Sequence, residues 1–403
     1  MPLLSSPICR SWRPILSFSL AVLLLSCQRP SRSAPQSATS TGDPFAELVP
    51  HSREADDAGR FLAGLPGTEG SPFLELEKTA AWKLHRRELD KAWAGFEAET
   101  IPAMRNFQKQ ELGDPPLENS VVLYPFSGPD SLVLSVFFPK NPTYVMVALE
   151  PAGTLPRPKQ FAKPDIAGRL AAVRATVSSE LHRSFFITRQ MDRQFRGQVT
   201  DGLFPPIISL LVRTNHTVVG YRYVRLDEQG HLVERPAPSG SSGKIANRGV
   251  EIDFRTDADQ SLHKLVYLSV NLANQRLRDN QPFLTFLHCL KGMTSYFKAT
   301  SYLTHQAEFS IIRDETLANS TAILQDDSGI PYRFFAGGPW QVQLYGGYVR
   351  PYGSFRWLEQ PDLRKAYVTE HPKPLGFAIG YGFSRTPSNL LFAGKTSVGS
   401  HTK

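Results

Sequence analysis

Cysteine is scarce in this chain: three among 403 residues, Cys9, Cys27 and Cys289. Two lie within the first thirty positions, so no disulfide framework can carry the fold and stability must come from a buried core. Long apolar runs are missing beyond residue 30. The longest, "LFPPIISLLV" (203–212), contains two prolines and is too short to span a bilayer. Lysine and arginine form no cluster interleaved with aromatics, which argues against a nucleic-acid partner. "SGSSGK" (239–244) falls short of a phosphate-binding loop, because position 238 is proline and position 245 isoleucine. Gly-x-Ser-x-Gly and His-Glu-x-x-His do not occur. No motif asks for a cofactor or a metal.

What is present begins at the N-terminus. The first fourteen residues hold Arg10 and Arg13 and no acid, and "ILSFSLAVLLL" (Ile15–Leu25) follows. A basic flank ahead of a short apolar core reads as a secretory signal. Small Ser26 precedes Cys27, and "LLSC" (24–27) resembles a bacterial lipobox, with aliphatic residues at −3 and −2 and a small one at −1. The resemblance to bacterial lipoproteins implies cleavage before Cys27, whose thiol would carry a diacylglyceryl group. Several acyl chains on that one residue make such an anchor stable. Gln28 at +2 implies delivery to the outer membrane. Without residues 1–27 the chain keeps 43 basic and 37 acidic residues, a net +6 that suits loose attraction to anionic envelope polymers. Cys289 is then the only thiol from Gln28 onward.

"QRPSRSAPQSATSTGDP" (28–44) is rich in Ser, Thr and Pro and has little to bury, so a flexible tether is expected there, continuing to residue 60. Residues 61–115 read as a helical lead-in. Ser71 is the expected cap, Pro72 suits the first helical position, and Trp82, His85, Leu89, Trp93 and Phe96 form one stripe that should end near Pro102. His85 is expected in the core.

Residues 116–393 predict an α+β domain with a mixed or antiparallel sheet and packed helices. "SLVLSVFF" (131–138) and "TYVMVALE" (143–150) read as a hairpin around "PKNP". "TVVGYRYVRL" and "HLVER" predict a second, around "DEQG". "GVEIDFRT" should pair with "HKLVYLSV", with Val250, Ile252 and Phe254 facing inward and Glu251 and Asp253 outward. "TAILQ" and "YRFF" read as another hairpin, and "WQVQLYGGYV" and "LGFAIGYGF" complete the strands. Helices are expected over "DIAGRLAAVRATVSSELHRSFF", over "QPFLTFLHCL" and within Ser301–Leu317. The hairpin–helix–hairpin order of 121–235 recurs from 250, predicting two similar halves, 121–235 and 250–393, that meet at a cleft. Residues 394–403 are expected to form a disordered tail.

Three places hold candidate chemistry. Asp130 ends the turn "FSGPD", and Asp326 and Asp327 open "DDSGIP". Carboxylates at the ends of elements suit general acid–base work or cation binding. His288 and Cys289 are adjacent, so on a helix they diverge by about 100° and cannot form a dyad. Cys289 is expected to be a buried, inert thiol beside Phe283, Phe286, Leu287 and Leu290. The third place is "PWQVQLYGGYVRPYG". Trp340, Val342 and Leu344 should face one way, and Gln341, Gln343 and Tyr345 the other, followed by Tyr348 and Arg350. Aromatic faces beside amides and guanidinium groups suit sugar rings or a partner's extended peptide.

The leading expectation is a lipid-anchored envelope protein with a binding or assembly role through the aromatic segment. Its partners would be the membrane, through the lipid, and an envelope polysaccharide or protein. The alternative is an envelope hydrolase or transferase using Asp130 with Asp326 or Asp327. That alternative requires the carboxylates to converge on one pocket.

Overall fold

A computed structural model of the chain describes Phe45 and residues 49–113, 121–162, 165–183, 202–238, 246–382 and 388–395. Cys27 and the tether segment 28–44 lie outside the described residues, as do 396–403. The strands are β1 (Val122–Pro125), β2 (Thr143–Ala148), β3 (His216–Leu226), β4 (Leu232–Glu234), β5 (Arg248–Thr256), β6 (Leu262–Ser269), β7 (Met293–Phe297), β8 (Ser320–Gln325), β9 (Trp340–Gly346) and β10 (Asn389–Lys395). They form one mixed sheet in the order β4-β3-β5-β6-β2-β1-β7-β8-β10-β9. The five central strands, β6 to β8, run parallel, and the outer pairings on both sides are antiparallel.

The fold class is α+β, with helices on both faces of the sheet. Alternation along the central strands serves two cores at once. Tyr124, Tyr144, Met146 and Tyr296 pack with Glu54–Leu62, Ala80–Gly95, Ile101–Phe107 and Phe204–Arg213 on one face. Leu123, Val145 and Val147 pack with Gln281–Cys289 and Ser310–Asn319 on the other. Strands covered on both sides carry apolar residues at every position, so their sequence loses the period-2 signal.

That loss explains the principal corrections. Ser131–Phe138 is not a strand: Leu134–Phe137 is a single helical turn, and the partner of β2 is β1, parallel to it. A short continuous apolar run does not distinguish strand from helix. "YRFF" is a short 3-10 turn, and β8 pairs with β7 and β10 instead. Among the described residues "LGFAIGYGF" supplies no strand. The last strand is β10, which includes Gly394 and Lys395 from the expected tail. In place of that first hairpin, 121–235 opens on β1, a helical turn and β2, whereas 250–393 opens on the β5–β6 pair, so among the described residues the two stretches begin with different elements. The two remaining pairs form as expected, β3–β4 around "DEQG" and β5–β6 between the two segments expected to pair.

The tether also ends earlier than residue 60, because Glu54–Leu62 is a helix whose Ala55, Ala58, Phe61 and Leu62 are core residues. The long helix starts at Ala80 rather than Ser71. Thr79 caps it, its hydroxyl accepting from the Trp82 amide at 3.2 Å. Pro102 does not end it. A π-helical turn at Phe96–Thr100 precedes the proline, and helix continues over Ile101–Phe107. The stripe from Trp82 to Trp93 is buried. The His85 ring meets the Leu62 carbonyl at 2.8 Å, and burial pushes its pKa down to about 4.

Candidate functional site at the carboxyl edge of the sheet

Parallel strands place the loops that follow them along one edge, and a crevice opens where neighbouring connections leave in opposite directions. Here β2 and β6 lie to one side of β1, while β7 and β8 lie to the other. The switch therefore falls between β1 and β7. The segments that follow these two strands both bend sharply. Phe126 after β1 and Ala299, Ser301 and Tyr302 after β7 all have left-handed backbones, with φ between 50° and 59°. Non-glycine residues in that region are strained, and such strain concentrates at functional sites.

A cavity of about 260 Å³ opens at this switch. In its lining, Asp130 Oδ2 lies 2.5 Å from Lys298 Nζ and accepts the Tyr124 hydroxyl at 3.0 Å. Asp130 and Lys298 are 2 % and 3 % exposed. The other carboxylate oxygen, Oδ1, is buried and has no hydrogen-bond partner among the described residues. A buried polar atom left in that state costs roughly 1–3 kcal/mol, more when charged.

The second acidic turn lies close by but does a different job. Asp326 Oδ2 accepts the Ala299 amide at 2.8 Å, and its Oδ1 accepts the Ser328 amide and hydroxyl. Ser328 Oγ in turn accepts the Thr300 amide at 2.8 Å, and the Tyr381 hydroxyl accepts the Ser301 amide at 3.2 Å. Three successive amides after Lys298 are thus bound to side chains, so none of them is spare for an oxyanion. Gly380 is required for this packing, since a Cβ there would stand 2.0 Å from Asp326 Oδ2. Asp327 accepts the Tyr302 hydroxyl at 2.5 Å and the Asn389 amide at 3.1 Å. Of the three aspartates singled out from sequence, only Asp130 lines the cavity. Asp326 and Asp327 hold the segment that carries Lys298.

Burial raises the pKa of Asp326, with Ser328 and Lys298 pulling the other way. Burial, then the charge of Asp326, pushes Asp327 up to about 7. The folded protein consequently holds an extra proton between about pH 4 and 7. That contribution to stability is full below the unfolded carboxyl pKa and is lost as pH rises through 7. Thermal unfolding should show wild type losing roughly 2–3 kcal/mol more than Asp327→Asn between pH 5 and pH 8. Parallel pH profiles for the two proteins would rule this out.

The aromatic segment does not form one surface. Gln341 and Gln343 are exposed on β9, an edge strand. Tyr345, expected beside them, is 3 % exposed and packs edge-on against Phe107 at 4.9 Å. Burial, with Glu111 nearby, pushes its pKa up to about 12. The alternation is intact, but the lead-in helix covers that end of the strand. Tyr348 is half-buried, its hydroxyl accepting the Gln360 amide at 3.3 Å, and exposed Arg350 lies 3.4 Å from Glu359.

Cys289 is exposed, not buried. Phe283, Phe286 and Leu287 face the core, and at 100° per residue position 289 falls about 110° from the centre of that stripe. Its neighbour His288 pairs with Glu315 at 2.9 Å.

Sequence reasoning missed Lys298 and Tyr124. Lys298 directly follows the buried run "MTSYF", and a lysine abutting an apolar strand was the available signal. Tyr124 sits in a four-residue strand too short to stand out. Among the described residues no group of three or more His, Cys, Asp or Glu is arranged to hold a metal ion, and no helix is long and apolar enough to cross a membrane. Compared with protein families, with curated proteins and with solved structures, the chain matches none of them.

Proposed function

We propose that this protein is a lipid-anchored lipoprotein of the bacterial cell envelope whose folded domain binds a small molecule in the cavity between β1 and β7. Asp130 accepts a hydrogen bond from that molecule. The observation that carries the reading is the buried Asp130–Lys298 pair in the cavity lining at the switch of the parallel strands, with Asp130 Oδ1 left without a hydrogen-bond partner among the described residues. Lys298 balances the charge of Asp130, and the Asp326 turn keeps Lys298 in place.

A catalytic role in the hydrolase or transferase class is the second reading, and it would rest on Asp130 alone, taking a proton from a ligand hydroxyl, because Asp326 and Asp327 do not line the cavity. The strained backbone at Phe126, Ala299, Ser301 and Tyr302 favours it. In neither reading does the aromatic segment act as a unit, because Tyr345 belongs to the core.

An NMR fragment screen tests the site. Hits should shift the amides of Ser127, Gly128 and Asp130 and those of 298–301, and Asp130→Asn should weaken them tenfold or more. Hits that cluster instead on Gln341 and Gln343 would move the function to the β9 edge. The anchor rests on the lipobox resemblance at Leu24–Cys27. Cys27→Ser should leave an uncleaved precursor or release the protein from the membrane fraction. Unchanged mass and unchanged partition would overturn the anchor.

A further inference from the structure

We propose that the protein forms a two-fold dimer by pairing the free edge of β9 with the same edge of a second copy of the chain. β9 is an end strand of the sheet, and peptide groups alternate in direction along a strand. The Gly347 amide donates to the Ser388 carbonyl at 3.0 Å, in step with the β9–β10 register, so the odd-numbered residues of β9 bond to β10. Trp340, Val342, Leu344 and Gly346 therefore turn their peptide groups outward. The Gly346 amide is taken, since it donates to the Lys373 carbonyl at 2.6 Å. The Leu344 carbonyl holds a long contact, 3.4 Å, from the Gln343 side chain. The amides of Trp340, Val342 and Leu344 and the carbonyls of Trp340 and Val342 have no partner among the described residues.

The two ends of the sheet differ in how they are guarded. β4 has three residues, carries the exposed Glu234 and is followed by Arg235 and Pro236, all of which keep an edge from pairing. β9 has seven residues, with no charge and no proline. Its unbonded stretch, 340–344, is centred on Val342, and a stretch with that symmetry is complementary to itself. Antiparallel pairing about Val342 sets Trp340 opposite Leu344 of the second copy and Val342 opposite Val342. On the other face the exposed Gln341 meets Gln343. Every outward group of 340–344 is then bonded, and no charge faces a like charge. A register shifted toward Gly346 would need the amide that Lys373 holds. The edge has no charge that would select a foreign peptide, whereas the chain itself carries the matching strand. A two-fold contact of this kind closes on itself and stops at two chains.

The test is sedimentation of the full-length protein in mild detergent across a range of concentrations, with hydrogen exchange read at single amides. The wild type should become dimeric as concentration rises. Exchange at Trp340, Val342 and Leu344 should slow with it, while the Gly346 amide stays unchanged. Gln341→Lys with Gln343→Lys sets like charges opposite each other twice across the two-fold and should weaken the dimer about tenfold or more. Gln341→Lys with Gln343→Glu should leave it at least as tight, because this register pairs 341 with 343. Both variants change exposed side chains, so the melting temperature should stay nearly unchanged. A wild type that stays monomeric with fast edge amides leaves the edge to a foreign strand and overturns the proposal. A monomer whose edge amides are already protected overturns it too, since another segment of this chain would then cover β9. Dimers that the two variants weaken equally, or not at all, form elsewhere on the protein and also overturn it.

Discussion

Lys298→Met is expected to destabilise the protein by about 3–5 kcal/mol, measured by urea unfolding. The pair it breaks is almost wholly buried, and removing one member strands an uncompensated charge. The loss should be large because Asp130 is already short of partners: among the described residues its Oδ1 has none, and the Tyr124 hydroxyl would remain on Oδ2. Asp130→Asn in the same background should restore much of the loss, since it removes the stranded charge. A single-variant cost below about 1 kcal/mol, or no recovery in the double variant, would show that water reaches the pair. In that case the floor of the cavity would not be a dry environment.

The second large effect belongs to the other side of the sheet. Lys264→Met should also cost about 3–5 kcal/mol. Lys264 Nζ lies 2.7 Å from Asp253 Oδ1 and also contacts Glu251, whose other oxygen receives Arg222. All four side chains are buried. Asp253 Oδ2 further accepts the Val49 amide at 2.9 Å, so the cluster fastens the chain entering the domain onto β5. Alongside the unfolding measurement, hydrogen exchange at Val49 should accelerate in the variant. Unchanged stability together with unchanged exchange would mean that the cluster is dispensable.

The same cluster shows where pattern reading reaches its limit. Alternation correctly sorted β5 into Val250, Ile252 and Phe254 on one face and Glu251 and Asp253 on the other. It placed the acids in solvent because a lone strand carries no record of what covers its second face. Arg222 comes from β3, Lys264 from β6 and Val49 from the chain ahead of the domain. Tyr345 repeats the lesson at the other edge of the sheet, where its side of β9 is fixed by alternation and its burial by Phe107.

Local chemistry determined what depends on near neighbours: the pattern of Leu24–Cys27, the turn that closes β3–β4, the alternation of β5 beside β6, the helical stripe from Trp82 to Trp93, and the α+β class. Those features repeat every few residues or rest on turn formers, so they are written in short windows of sequence. Tertiary structure alone decided that the centre of the sheet is parallel, because strands buried on both faces have no alternation to read. It also decided the site. Asp130 and Lys298 follow strands that are distant in the chain and adjacent in the sheet, and only that adjacency turns two ordinary charged residues into a buried pair beneath a cavity.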